Sequence, residues 1–169
     1  MRQEAPRTRS LANELTVKPN GFWKPTFTLT DGQNSYGTLR YEGVWRPKVI
    51  VEATDQTWVI SGMKWRNIKI TTAQGEPLGT VSGNFWGNKI TFTAIDGFTA
   101  TFITQSLWKS IFSWQATDGT ELVTFKARAF KQPLIYINEQ AKQNQWILIL
   151  AFLALEIQLT RQKHAVAAM

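Results

Sequence analysis

From Phe22 to Asn138, hydrophobic and polar residues alternate with a period of two. In "PTFTLTDG", Phe27 and Leu29 stand against Thr26, Thr28 and Thr30; in "NKITFTAIDG", Ile90, Phe92 and Ala94 stand against Thr91 and Thr93; in "GFTATFIT", Phe98, Ala100 and Phe102 stand against Thr99 and Thr101. One apolar face and one Thr-rich face predict strands buried on one side only, with branched Thr suiting the extended backbone of the wet side. Asp31-Gly32, Glu42-Gly43, Gln74-Gly75, Gly87-Asn88, Asp96-Gly97 and Asp118-Gly119 punctuate the strands with hairpin chemistry. Turns at this spacing predict ten to twelve antiparallel strands in a meander. A faint repeat runs through them: Trp23, Trp65 and Trp108 recur at nearly equal intervals, as do Gly32, Gly75 and Gly119. Duplicated hairpins in one curved sheet account for it better than propeller blades.

The period breaks after Asn138. Residues 146–155, "WILILAFLAL", carry no charged or hydrogen-bonding group except the Trp146 indole. Asn138 as cap, Glu139 in the first turn and Arg161, Lys163 and His164 in the last turn predict a helix over 139–163, with charges in the order its dipole favours. Leu148, Phe152 and Leu155 mark its expected core positions, but apolar residues cover the whole circumference, so it must be enclosed by protein or lipid. Ten residues rise about 15 Å, roughly half a bilayer's hydrocarbon core. Extension to Leu159 would place Glu156 and Gln158 in lipid. No transmembrane span is therefore expected. A one-sided sheet needs a cover, and wrapping it around this helix meets both needs.

The hairpins around Asp31-Gly32, "QGEPLG" (74–79) and Asp118-Gly119, followed by the helix "WILILAFLALEI", resemble the tubby-like superfamily over roughly Asn20 to Lys163. That group includes the tubby carboxy-terminal domain, the plant LURP-one-related proteins and the phospholipid scramblases. The resemblance implies a mainly β fold: a closed antiparallel barrel of about twelve strands around a central hydrophobic carboxy-terminal helix. It also implies binding at membranes, since tubby domains bind phosphoinositides.

The amino-terminal segment lacks periodic apolar residues and a secretory h-region. Residues 1–18 are expected to form a flexible basic arm, and 19–169 the barrel with its helix. The absence of Cys excludes disulfides, thiolate metal sites and a Cys nucleophile. The sole His, His164, falls at the helix end, the acidic residues fall mostly in turns, and no phosphate loop or dinucleotide fingerprint occurs. Neither an enzyme, a cofactor nor a metal site is expected.

The net charge of +7 points to anionic partners. Lys64 and Arg66 leave one face of a strand, as do Lys126 and Arg128, with Arg46 and Lys48 similarly spaced. Lys64, Arg66, Lys126 and Arg128 are the candidate site for anionic headgroups; the alternative is a solvated sheet face. Trp beside bases in "MKWRNIK" and "GVWRPK" fits either a membrane interface or wall packing. Nucleic acid is not expected, for want of any recognisable motif. The expectation is a non-catalytic, lipid- or membrane-associated binding module, cytoplasmic and peripheral, with anionic phospholipid as partner. The alternatives are a protein-interaction scaffold and a lipocalin-like carrier of a small ligand.

Overall fold

The computed structural model describes residues 10–45, 47–62, 67–83 and 89–167, the side chain of His164 excepted. Twelve strands follow in chain order: β1 (Glu14–Asn20), β2 (Thr26–Thr30), β3 (Ser35–Glu42), β4 (Lys48–Ala53), β5 (Thr57–Ser61), β6 (Ile68–Thr72), β7 (Pro77–Gly83), β8 (Lys89–Ala94), β9 (Thr99–Ser106), β10 (Ile111–Ala116), β11 (Glu121–Arg128) and β12 (Lys131–Ile137). Each pairs antiparallel with its neighbours, and β1 closes the ring against β12 through Glu14↔Tyr136, Leu15↔Ile135 and Thr16↔Leu134. Closure leaves no free sheet edge. A 3₁₀ turn (Glu139–Ala141) then leads into the helix α1 (Ile147–Ala167).

The alternation read from the sequence separates inside from outside. Leu15, Leu39, Val51, Ile70, Phe92, Phe102, Trp114 and Phe125 point into the lumen and are nearly or wholly inaccessible. The outer wall is polar: the Thr28 and Thr38 hydroxyls lie 3.1 Å apart, and Arg40 reaches Glu42 (2.8 Å) and Glu52 (3.2 Å). A membrane-spanning barrel shows the reverse, an apolar band outside. No helix among the described residues is long and apolar enough to cross a membrane.

α1 fills the lumen. From Ile149 to Gln158 every residue is buried, whichever way it faces. Phe152 packs at 6.4 Å from the Trp58 ring, and its Cζ would lie 3.0 Å from a Cβ placed on Gly37, so the wall approaches the helix too closely there for any side chain. Phe152 and Leu155 are core residues as expected, while Leu148 is only partly buried because it lies in the first turn, at the barrel mouth.

Two boundaries differ from the sequence reading. The helix starts at Ile147, not 139, because Asn138 caps the 3₁₀ turn instead, accepting from the Gln140 amide at 3.0 Å. The chain then crosses the mouth before it enters the lumen. Asn144 Oδ1 accepts from the Trp146 amide at 2.9 Å, and the Trp146 indole donates to Asp96 Oδ2 at 2.9 Å, tying the entry point to the turn after β8. The range expected for the arm, 1–18, overlaps β1, which begins at Glu14. Leu15 and Val17 alternate with Thr16 and complete the barrel, a pattern too short to stand out beside the charged residues before it.

Removing residues 1–17 therefore opens the seam between β2 and β12. At roughly 1.5–3 kcal/mol for each buried aliphatic side chain, losing Leu15 and Val17 alone is expected to lower stability by about 3 kcal/mol or more. A urea transition unchanged by the truncation would contradict this. Phe152→Ala should cost about 3–5 kcal/mol in the same measurement.

Candidate functional site: an aromatic and basic rim

In an antiparallel meander, alternate connections lie at opposite ends of the barrel. The connections after β2, β4, β6, β8, β10 and β12 share the end where α1 enters; those after β1, β3, β9 and β11 share the end where α1 emerges. The two ends differ in chemistry.

Each entry-end connection carries an acidic residue: Asp31, Asp55, Glu76, Asp96, Asp118 and Glu139. Several shape their turns. Asp31 accepts from the amides of Gln33 (2.8 Å) and Asn34 (2.7 Å) and from the Tyr36 hydroxyl (2.7 Å), bonds that hold its carboxyl far below the usual range. Asp96 and Asp118 accept amides two residues on, from Phe98 and Thr120, each at 2.9 Å, which lowers both carboxyls.

The exit end is apolar and basic. Residues 21–25 present Phe22, Trp23 and Lys24; 43–47 present Val44 and Trp45, with Lys48 following; 107–110 present Leu107, Trp108 and Lys109; and 129–130 present Phe130, with Lys131 following. Trp45 is 95% exposed and Trp108 100%. Of the ten exposed large hydrophobic side chains among the described residues, eight lie at this end once Val166 of α1 is included; the others are Ile95 and Tyr136. Singly exposed apolar residues are ordinary, but a cluster of them on four hairpins at one end of a barrel is not.

The rim is also where non-glycine residues take left-handed backbone: Ser110 at φ 51° and Phe130 at φ 57°. Among described hairpins of the entry end, Gly32, Gly75, Gly97 and Gly119 take it instead, without steric cost. The Ser110 amide donates to the Leu107 carbonyl at 3.1 Å, and Ser106 Oγ accepts from the Lys109 amide at 3.2 Å. Phe22 and Trp23 meet edge to face at 5.7 Å, so two of the exposed rings support each other.

Of the sequence-predicted bases, Lys64 and Arg66 lie outside the described residues, as does Arg46. Lys126 is half-buried on the outer wall of β11. A register shift separates it from Arg128, so the expected regular alternation is interrupted. Arg128 sits at the rim end of β11, with Nε donating to the Gln132 carbonyl at 2.8 Å. Ala127 packs against the core, while Ala129 is exposed in the turn. The rim residues Trp23, Trp45 and Trp108 were legible as aromatics beside bases. Their common location follows only from hairpin parity.

Two cavities flank α1 at this end. One, about 340 Å³, lies beside Tyr41, Ile60, Ile68, Glu156, Thr160 and Lys163. Glu156 is buried and accepts from the Tyr41 hydroxyl at 2.5 Å and the Thr160 hydroxyl at 3.0 Å, while Lys163 Nζ stands 3.9 Å above the Tyr41 ring. Burial raises the Glu156 carboxyl above its ordinary value; the two hydroxyls and the Lys163 charge oppose that but do not cancel it. The same burial and the adjoining carboxylate keep the Tyr41 phenol protonated. The second cavity, about 440 Å³, lies on the other side of the helix, between β1, β2 and the β11–β12 hairpin.

Comparison with protein-family models, curated proteins and solved structures returned no match.

A carboxyl raised in the folded state binds more protons there than when unfolded. Its contribution to stability is full below its unfolded value near 4.5 and is lost as pH rises through the folded value. Glu156→Gln keeps both hydroxyl partners and removes the titration. The stability of the Gln variant relative to the parent should therefore increase from pH 4 to pH 8 in urea denaturation; a constant difference would show that Glu156 is not shifted.

Proposed function

We propose that the protein is a non-catalytic, peripheral membrane-binding module that docks its exit-end rim on an anionic lipid surface. The observation that carries this reading is the cluster of exposed aromatics beside lysines on four hairpins of one end, opposite an acidic end. Trp and Phe favour the headgroup level, where a flat ring has both apolar and polar neighbours, and Lys at the same height meets lipid phosphates. The acidic turns then point away from the membrane, so the barrel's charge asymmetry orients it. The resemblance of the hairpins and final helix to tubby-like proteins supports the same reading.

Magnitudes assign the parts. Each lysine near an anionic surface contributes about 1 kcal/mol, so Lys24, Lys48, Lys109 and Lys131 together reach only about millimolar affinity. The aromatic side chains must supply the rest, which makes the tryptophans, and not the strand-face bases, the principal determinants. A protein-interaction scaffold would use the same aromatic side chains, and the lysines beside them are what favour an anionic lipid surface. α1 occupies the place of a lipocalin-like central cavity, and among the described residues two cavities lie beside it.

Cosedimentation with neutral and phosphatidylserine-containing vesicles tests the reading. Trp23→Ser, Trp45→Ser and Trp108→Ser together should weaken binding to the anionic vesicles by about tenfold or more, while the four lysines changed to Ala should remove the preference for anionic over neutral lipid. Raising salt should weaken the parent's binding, because screening acts over about 8 Å at physiological ionic strength. Binding by the Trp variant as tight as the parent's would overturn the docking face.

A further inference from the structure

The larger cavity has a composition that membrane docking does not explain. Its walls are mostly apolar, with Val17, Phe27, Phe125, Leu155 and Leu159 among them; Arg128 and Lys131 of the β11–β12 hairpin border it, and Gln132 and Gln162 also line it. Gln158 of α1 lines it, and that side chain is more than nine-tenths buried. Its Nε2 has no hydrogen-bond partner. A buried amide donor without an acceptor is costly, and the position is one where Leu would fill the same space at no such cost. A ligand's acceptor oxygen satisfies it once the Gln158 side chain turns its sealed amide group toward the cavity.

We propose that this cavity holds a single-chain anionic amphiphile, an alkyl chain ending in an oxyanion such as a carboxylate or a phosphate monoester. The chain lies against the aliphatic and aromatic walls. The oxyanion accepts from Gln158 Nε2 and draws on the charges of Arg128 and Lys131. The Arg128 Nε is spent on the Gln132 carbonyl, which holds the guanidinium in place and leaves its two amino groups for the ligand. A volume of about 440 Å³ is within the range of small-molecule sites. Phe130 borders the cavity, strained at φ 57° and exposed, so the turn that carries it is also the margin of the binding site. The site does not require docking: a vesicle is one source of such a molecule, and free amphiphile in solution is another.

Isothermal titration below the critical micelle concentration tests the proposal with laurate, dodecyl phosphate, dodecanol and inorganic phosphate. Laurate, dodecyl phosphate or both should saturate at one per chain, and the more tightly bound of the two identifies the head. Dodecanol and inorganic phosphate, each lacking half of the ligand, should bind at least about tenfold more weakly. Gln158→Leu should fold at least as stably as the parent and lose about tenfold in affinity for the amphiphile, with its vesicle binding unchanged. Arg128→Ala with Lys131→Ala, at the margin and remote from the core, gives a second reading should Gln158→Leu fail to fold, and should weaken binding similarly. The triple Trp→Ser variant should retain amphiphile binding, so failure of the rim reading and failure of this one are distinguishable. Absence of saturable binding by both anionic amphiphiles would overturn the proposal. So would dodecanol binding as tightly as they do, or unchanged affinity in both the Gln158 variant and the Arg128/Lys131 pair.

Discussion

A helix that is apolar on every side cannot be covered by one sheet face, and the architecture follows from that constraint. The stretch from Ile149 to Leu155 offers no stripe that could be left in water. A flat or open sheet would bury about half of its circumference and leave two unpaired edges. Closing twelve strands around it buries the whole circumference, pairs every strand and gives each inward residue of the wall something to pack on. The dependence is mutual, because a barrel of this many strands is too wide for its own side chains to fill. Gly37 marks how close the two surfaces come: a Cβ there would meet both the Glu52 carbonyl oxygen at 2.8 Å and the Phe152 ring.

The same helix changes character along its axis. Its first half is sealed among aromatic and aliphatic walls. Its second half brings Glu156, Gln158, Thr160 and Arg161 into the lumen one after another. Arg161 lies 5.7 Å and 5.4 Å from the centres of the Phe102 and Phe112 rings, an arrangement in which a partly buried cation gains from the ring faces. Glu156 is held by two hydroxyls, whereas Gln158 keeps an unmatched donor. The barrel interior is therefore apolar where α1 enters, and polar, with cavities bordered by lysines, where it emerges. This gradient places both cavities at the same end as the exposed tryptophans.

The separation of acidic from aromatic and basic turns has a simple geometrical origin. In a meander each strand reverses direction, so every second connection returns to the same end. Residues such as Trp23 and Trp108, far apart in the chain, become neighbours in kind around a single rim. The recurrence of Trp and Gly at intervals of about four strands reflects this: Gly32, Gly75 and Gly119 all fall in entry-end turns, and Trp23 and Trp108 both fall in exit-end turns.

What the chain determined by itself is what depends on neighbours a few residues away. The period of two set which side of each strand is wet, the Asp-Gly turns set where strands end, and the unbroken apolar run set that the final helix must be enclosed. Tertiary structure decided what depends on closure. β1 could not be told from a loose arm, because Leu15 and Val17 acquire meaning only when Ile135 and Leu29 stand beside them. The helix start moved from 139 to 147, because the chain must cross the barrel mouth before entering it, and no local signal encodes that distance. Pairing bases by strand alternation singled out Lys126 and Arg128, but the register shift between them and the gathering of alternate hairpins at one end moved the candidate surface to the rim. Gln158 looked like a polar residue ending an apolar run. Only the enclosing wall, by removing water from its amide and supplying no acceptor, made it an unpaired donor beside a cavity.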